Sequence, residues 1–133
     1  MQYLVAYIAT AVVFLGIDYV WLAHVSRGFY AERLGHLLME KPNMAAAAGF
    51  YAIYVVGIVI FAVAPALRTG SLSTALIYGG LFGFFAYATY DMTNFATLKD
   101  WPPSVVMVDV LWGTVLTGVS ACLGTYLTRL AIS

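Results

Sequence analysis

Three aspartates interrupt long apolar stretches of this chain, and they are the residues best placed to do chemistry. Asp18, Asp91 and Asp109 each lie among side chains that otherwise suit a lipid environment. An ionised carboxylate is costly inside a bilayer, so such residues usually face a bundle interior or a wet cavity and mark a functional site. Neighbouring carboxylates also oppose one another's ionisation, and at least one is expected to hold a proton at neutral pH. These residues predict a site for a proton or a cation.

Each aspartate has polar or aromatic company at helical spacing. Trp21 lies three residues after Asp18. Trp112 lies three residues after Asp109, so each indole shares a helical face with its carboxylate. An indole N–H can only donate, and both tryptophans are expected to donate to a carboxylate, their own or one across the bundle. The predicted ligand-binding residues are Asp18, Trp21, Tyr87, Tyr90, Asp91, Asn94, Asp109 and Trp112.

The composition of the chain is that of an integral membrane protein. Of its 133 residues, 63% are hydrophobic and 9% are charged, whereas a soluble domain carries about 25% charged residues. Four stretches reach the length of about 20 residues that a spanning helix needs. We predict an all-α fold over residues 1–133, a single up-down bundle of transmembrane helices at about 3–24, 44–67, 72–95 and 105–127.

The alternating direction of the helices places the three aspartates at a similar depth. Short connections make consecutive helices antiparallel neighbours. The ends of helices one and three and the start of helix four then meet on one side, the loop side, with the long first loop (25–43) and the proline turn (99–103). At 1.5 Å per residue, all three carboxylates lie roughly 6–9 Å below this interface. We therefore expect them to converge on the bundle interior or on a cavity open to the loop side.

The long first loop contains an amphipathic segment at about 29–40. Its apolar and polar residues separate at helical spacing, which predicts a short helix lying in the interface and ended by Pro42. Such a helix serves either as a connector resting on the headgroups or as a lid over the aspartates. The apolar face holds Tyr30, Leu34, Leu37 and Leu38, and the polar face holds Glu32, Arg33, His36 and Glu40.

Small residues form stripes on two of the predicted helices. Gly79 and Gly83 make a Gly-x-x-x-Gly spacing, which is typical of close helix packing. A second stripe follows helix four, and we expect one stripe to pack inside the bundle and the other at a dimer contact. The second stripe comprises Gly113, Thr117, Ala121 and Thr125.

Several classes of function find no support in the sequence. Net charge is zero and no basic patch is present, which argues against nucleic acid as a partner. No Ser/His/Asp or Cys/His arrangement indicates nucleophilic catalysis, and no glycine-rich loop cradles a phosphate. His24 with the three aspartates is a weak metal-ligand set, and Glu32, His36 and Glu40 are better explained as a solvated face, so no metal site is predicted. The aspartates also have a structural interpretation, in which they accept hydrogen bonds from Trp, Tyr and helix N-terminal N–H groups, or in which Arg27, Arg33 or Lys99 pairs with Asp18 or Asp91.

Basic residues near the helix ends give a weak orientation signal. Four of them lie on the loop side and two on the opposite side, and basic residues favour the cytoplasm. We expect both termini outside and the two polar loops in the cytoplasm. The loop-side residues are Arg27, Arg33, Lys41 and Lys99, and the others are Arg68 and Arg129.

Four runs carry a resemblance to a known family. They are GIDYVWL (16–22), FYAERLGHLL (29–38), YATYDMTNFATLKDWP (87–102) and VDVLWGTVLTG (108–118), with TYDMTN (89–94) the most specific part. With these runs, the chain resembles the bacterial membrane family catalogued as domain of unknown function 2177 over nearly its whole length. The resemblance implies a small bacterial polytopic protein, and we expect it in the inner (cytoplasmic) membrane. It brings no activity, substrate or cofactor.

The residues favour a small membrane protein whose acidic and aromatic pocket binds or transports a proton, a cation or a small organic ligand. An organic cation would use both the carboxylates and the aromatic faces. Membrane lipids are expected partners, and transport by only four helices would call for a homodimer. The alternatives are a lipid-active membrane enzyme or its partner subunit, and a non-catalytic subunit of a larger membrane complex.

Asp91→Asn is expected to disturb function more than stability. Asparagine keeps the shape of the side chain but cannot hold a charge, so pH-dependent ligand binding should be abolished while the melting temperature changes little. A structural carboxylate predicts the reverse, because its donors would be left unsatisfied at about 1–3 kcal/mol for each buried group. Thermal unfolding and ligand binding of this one variant distinguish the two.

Overall fold

The computed structural model describes residues 1–132, which form four long apolar helices and one short helix. This confirms the predicted all-α fold with four membrane-spanning helices. Asn43 caps the second long helix, since its Oδ1 accepts from the Ala46 N–H at 3.0 Å, and Gly70 ends that helix in the left-handed conformation at φ 70°. The helices are α1 (Gln2–Val25), α2 (Arg27–Leu34), α3 (Met44–Thr69), α4 (Leu72–Thr97) and α5 (Pro103–Ile132).

Two of the long helices contain a π-helical turn. One closes α1 at Trp21–Val25, and the other lies within α3 at Val59–Val63. At the end of α1, the backbone N–H and the hydroxyl of Ser26 both donate to the Trp21 carbonyl at 2.8 Å. Turns of this kind are rare and are frequent at functional sites. The turn in α1 begins three residues after Asp18, so it determines where the Trp21 side chain points.

The short helix α2 is shorter than the predicted segment. It ends at Leu34, and Gly35 to Leu37 form a turn in which the Leu37 N–H donates to the Leu34 carbonyl at 2.8 Å. The expectation that Pro42 ends this helix is therefore wrong, and Glu40 lies outside it. Glycine is a poor helix residue, and Gly35 is where the regular structure stops.

Helix α2 packs against the proline turn and the start of α5, so it does more than connect α1 to α3. Leu34 forms a small buried cluster with Trp101 and Val105 at the start of α5. Arg33 adds a hydrogen bond from its Nε to the Ser104 hydroxyl at 3.1 Å. These contacts tie the first loop to the proline turn and cover the loop side of the bundle.

The closest helix pair in the structure is α4 with α5, which meet through small residues. A Cβ added to Gly79 would lie 2.7 Å from the Ala121 Cβ, and one added to Gly83 would lie 2.7 Å from the Thr117 Cβ. Each step of four residues along α4 therefore matches a step of four residues back along α5. The facing pairs are Gly79 with Ala121, Gly83 with Thr117, and Tyr87 with Gly113.

This contact corrects one expectation about the small-residue stripes. The stripes of α4 and α5 pack against each other inside the bundle, so the expected division between an inner contact and a dimer contact is wrong. Both stripes are used by one antiparallel contact because only paired small residues let two backbones approach this closely.

The end of the bundle beneath the site is a packed apolar core. Phe14, Ile58 and Leu116 are fully buried there. The hydroxyls of Tyr54 and Thr117 share a buried hydrogen bond of 2.9 Å at the top of this core. The bundle is thus closed below this level and wider toward the loop side.

Gly83→Ala should destabilise the bundle by about 1–3 kcal/mol, because the added methyl meets the Gly113 carbonyl and the Thr117 side chain. Gly49→Ala in α3 is the matched control, since nothing lies within 4 Å of its added Cβ, and it should be neutral or stabilise by roughly 0.5–1 kcal/mol. Thermal unfolding in detergent measures both. Equal effects of the two variants would contradict the glycine contact.

Candidate functional site

A cavity of about 960 Å³ opens among the loop-side ends of the helices. Its walls come from all five helices, from the connection after α2, and from the proline turn. Of the eight residues predicted for the site, six line it, whereas Asp91 and Asn94 do not. The six are Asp18, Trp21, Tyr87, Tyr90, Asp109 and Trp112.

Asp18 is held in the wall by two neutral donors. Its side chain is 6% exposed. The Tyr51 hydroxyl donates to Oδ2 at 2.7 Å, and the Trp112 Nε1 donates to Oδ1 at 3.2 Å. The prediction that Trp112 donates to a carboxylate is confirmed, and the acceptor is the carboxylate across the bundle rather than Asp109.

Trp21 does not donate to a carboxylate, so that prediction is wrong. Its buried Nε1 has no hydrogen-bond partner among residues 1–132, although it lies near the Tyr30 hydroxyl. The indole instead stacks on Trp112, with ring centroids 4.2 Å apart and planes at 11°. This stacking on Trp112 sets the plane of the Trp21 ring.

Asp109 is half-buried and accepts a hydrogen bond from α2. The Tyr30 hydroxyl donates to its Oδ1 at 2.8 Å. Burial and the neighbouring Asp109 carboxylate raise the pKa of the Tyr30 hydroxyl above its ordinary value of 10.0. The hydroxyl therefore stays protonated, and remains a donor, throughout the physiological range of pH.

Asp91 lies behind the cavity wall and is fully buried, with 0% of its surface exposed. The α4–α5 register places it opposite Asp109, one step of four residues beyond the pair of Tyr87 with Gly113. Its carboxyl lies beside the Asp109 carboxyl and the Trp101 indole. Neither of its oxygens has a well-formed hydrogen bond among residues 1–132. The Trp101 Nε1 also lacks a partner there. Asn94, partly buried, is near Tyr90.

None of the three carboxylates is paired with a basic residue. The ion pair found within residues 1–132 joins Arg33 to Glu32, with 3.6 Å between Arg33 Nη1 and Glu32 Oε2. Arg33 also lies over the Phe29 ring, 4.0 Å from its centroid, and Arg27 is exposed where it lines the cavity. The alternative in which loop cations neutralise the aspartates is not what the structure shows. Nor does this part of the chain group three His, Cys, Asp or Glu side chains around a possible metal position.

The comparison with known families bears on the whole chain. A family model described as "Predicted membrane protein (DUF2177)" matches residues 3–126. The chain belongs to this family. No curated protein and no solved structure matches it. The family description and the four apolar helices together indicate a multi-pass membrane protein. The family assigns no activity, so the site is interpreted from its own geometry.

The structure divides the residues of the run TYDMTN (89–94) between two roles. The hydroxyls of Thr89 and Thr93 donate to carbonyls of their own helix, those of Phe85 and Thr89, at 2.6 and 2.5 Å. Both threonines are exposed on the outer face of α4. Asp91 is the residue of this run that turns fully into the bundle.

Sequence reasoning missed two tyrosines that complete the site. Tyr51 was not selected, although its place in the second turn of α3 puts it at the depth of Asp18. Tyr30 was assigned to the apolar face of the loop segment, and the same face turns inward to meet Asp109. Depth alone would have drawn attention to Tyr51, whereas Tyr30 required the docking of α2 to be known.

Tyr51→Phe should destabilise the protein by about 1–3 kcal/mol, because the buried Asp18 Oδ2 loses its donor. Tyr78→Phe is the control, since that side chain is 50% exposed. In the double variant with Tyr51→Phe and Asp18→Asn, the loss of stability should be smaller than the sum of the losses in the two single variants. These values come from thermal unfolding, and a Tyr51→Phe effect as small as the control would mean that water replaces the hydroxyl.

Proposed function

We propose that this protein binds a small organic cation with aromatic or other apolar groups in the loop-side cavity. The observation that carries the proposal is a pair of carboxylates, Asp18 and Asp109, in the wall of an aromatic cavity with no basic residue paired to them. A bound cation would supply the missing positive charge.

Neutral donors hold the two carboxylates without cancelling their charge. Tyr51 and Trp112 satisfy Asp18, and Tyr30 satisfies Asp109. Hydrogen bonds of this kind offset part of the cost of burying an anion, but the negative potential inside the cavity remains. A cation entering the cavity gains the attraction of two carboxylates that are already oriented.

The rest of the wall suits a flat or bulky apolar cation. The stacked pair of Trp21 and Trp112 and the rings of Tyr87 and Tyr90 present aromatic surface. Aromatic faces attract cations, most strongly where water is excluded. The volume of about 960 Å³ lies at the upper end of the range of roughly 300–1,000 Å³ for small-molecule sites. A bare metal ion would leave most of this surface unused.

The proposal extends to the setting of the protein. The excess of basic residues on the loop side favours a cavity that opens to the cytoplasm of a bacterial inner membrane. If the cation is transported, a homodimer or a larger complex would supply the helices that four spans lack. An enzyme acting on lipid headgroups is the second candidate, because Leu38, Met39 and Pro42 give the cavity an apolar edge.

Two ions of similar size and opposite charge test the proposal. Tetraphenylphosphonium should bind saturably to the purified protein in a neutral detergent and quench tryptophan fluorescence, because Trp21 and Trp112 line the cavity. Tetraphenylborate, the anionic counterpart, should not. Asp18→Asn and Asp109→Asn should each weaken phosphonium binding by on the order of tenfold, the effect of losing about 1.4 kcal/mol of attraction.

Asp100→Asn is the matched control for these variants. It removes the same charge from an exposed turn on the loop side, at a residue whose φ of 61° asparagine also adopts. Its binding should equal that of the unaltered protein. Equal binding of the two ions would indicate an apolar site without charge selectivity, and co-purified lipid in place of the phosphonium would favour the enzyme.

A further inference from the structure

Asp91 is a buried carboxyl without an evident stabilising partner. It is fully buried, and both of its oxygens lack a hydrogen bond of good geometry among residues 1–132. Burying an ionised carboxylate in this way is far more costly than burying the neutral acid. In native structures an unsatisfied buried polar group requires an explanation, and an exchangeable proton is one.

The helix register supplies an acceptor for such a proton. The α4–α5 contact places Asp91 opposite Asp109, and the two carboxyls lie beside each other. Asp109 uses its Oδ1 to accept from Tyr30, whereas its Oδ2 has no hydrogen bond among residues 1–132. A protonated Asp91 has an acceptor in this neighbouring carboxylate. Two carboxyl groups so close cannot both ionise readily, and such pairs hold one proton between them.

We propose that Asp91 and Asp109 share one proton in the free protein, and that binding of an organic cation beside Asp109 displaces it. This inference rests on the proposed function. It adds that the bound cation exchanges for a proton. The balance is simple: the O–H bond of the shared acid breaks, the proton leaves to solvent, and the cation pairs with the resulting carboxylate charge.

The groups nearest the pair are neutral, and no basic side chain pairs with either carboxyl among residues 1–132. Tyr30 and Tyr90 face both carboxyls, and Trp101 lies against Asp91. The remaining titratable or charged side chains that line the cavity are Asp18 from α1, Arg27 from α2, Tyr51 and Tyr54 from α3, and Tyr87 from α4. Arg27 is exposed and pairs with none of the aspartates.

The exchange has a definite sign. A proton is released on binding, so the affinity for the cation rises with pH by about tenfold per pH unit while the pair is protonated in the free protein. The rise stops once the free pair has already lost its proton. By linkage, acidification expels the cation to the same degree.

Calorimetric titration with tetraphenylphosphonium, in phosphate and in Tris at the same pH, measures the proton released from the difference in heat between the buffers. We expect about one proton per bound cation for the unaltered protein. Because Asp91 lies behind the cavity wall, Asp91→Asn should lose only the pH dependence of binding and not binding itself, and it should release no proton. Asp18→Asn is the comparison: it should bind more weakly and still release the proton.

Infrared spectroscopy gives a readout without any cation. The carbonyl stretch of a protonated carboxylic acid should be present in the free protein and absent from Asp91→Asn, whereas in Asp109→Asn it should shift in frequency but remain, because Asp91 stays fully buried. Its presence in the unaltered protein supports the shared proton even if a variant fails to fold. Cation binding without proton release, or without that band, overturns the exchange and leaves the proposed function standing. Absence of cation binding overturns both.

Discussion

The close contact between α4 and α5 is the constraint on which the rest of the structure depends. Because Gly79, Gly83 and Gly113 carry no side chain, the backbone of each helix comes into contact with residues of the other helix. In a bilayer, packing of this kind replaces the hydrophobic force that holds soluble helices together. It also fixes the register of the helices. Continuing that register by one step brings Asp91 opposite Asp109, so the acidic pair follows from the packing.

The second principle of the site is that neutral groups stabilise the charges. Hydroxyl and indole donors from α2, α3 and α5 satisfy the carboxylates of Asp18 and Asp109. Arg27 lines the cavity but is exposed and pairs with none of the aspartates, and Arg33 is engaged with Glu32, Ser104 and Phe29. A buried pair of an aspartate and a basic residue would have been electrically neutral without a further ion. Carboxylates held by neutral donors keep their attraction for a charge that comes from elsewhere.

Much of this arrangement could be predicted from the sequence because hydropathy and alternation are strong signals in membrane proteins. They gave four spans within a few residues of their bounds, and they placed three aspartates near one face. They did not give the rotation of each helix about its axis, which decides that Trp112 reaches Asp18 and that Asp91 lies behind the cavity wall. That rotation comes from packing, and at Trp21 from a π-helical turn that no spacing rule anticipates. The length of α2 was overestimated because amphipathic spacing continued past Gly35.

The π-helical turn at Trp21–Val25 gives α1 a joint at the level of the site. A π turn holds one residue more than the α turn that it replaces, and one residue corresponds to about 100° of rotation. If the turn relaxed to α-helical pitch, the chain beyond it would swivel by that angle, whereas Trp21 at its start would keep its place against Trp112. Helix α2 begins two residues after the joint, so the same swivel would carry Tyr30 away from Asp109 and widen the mouth of the cavity.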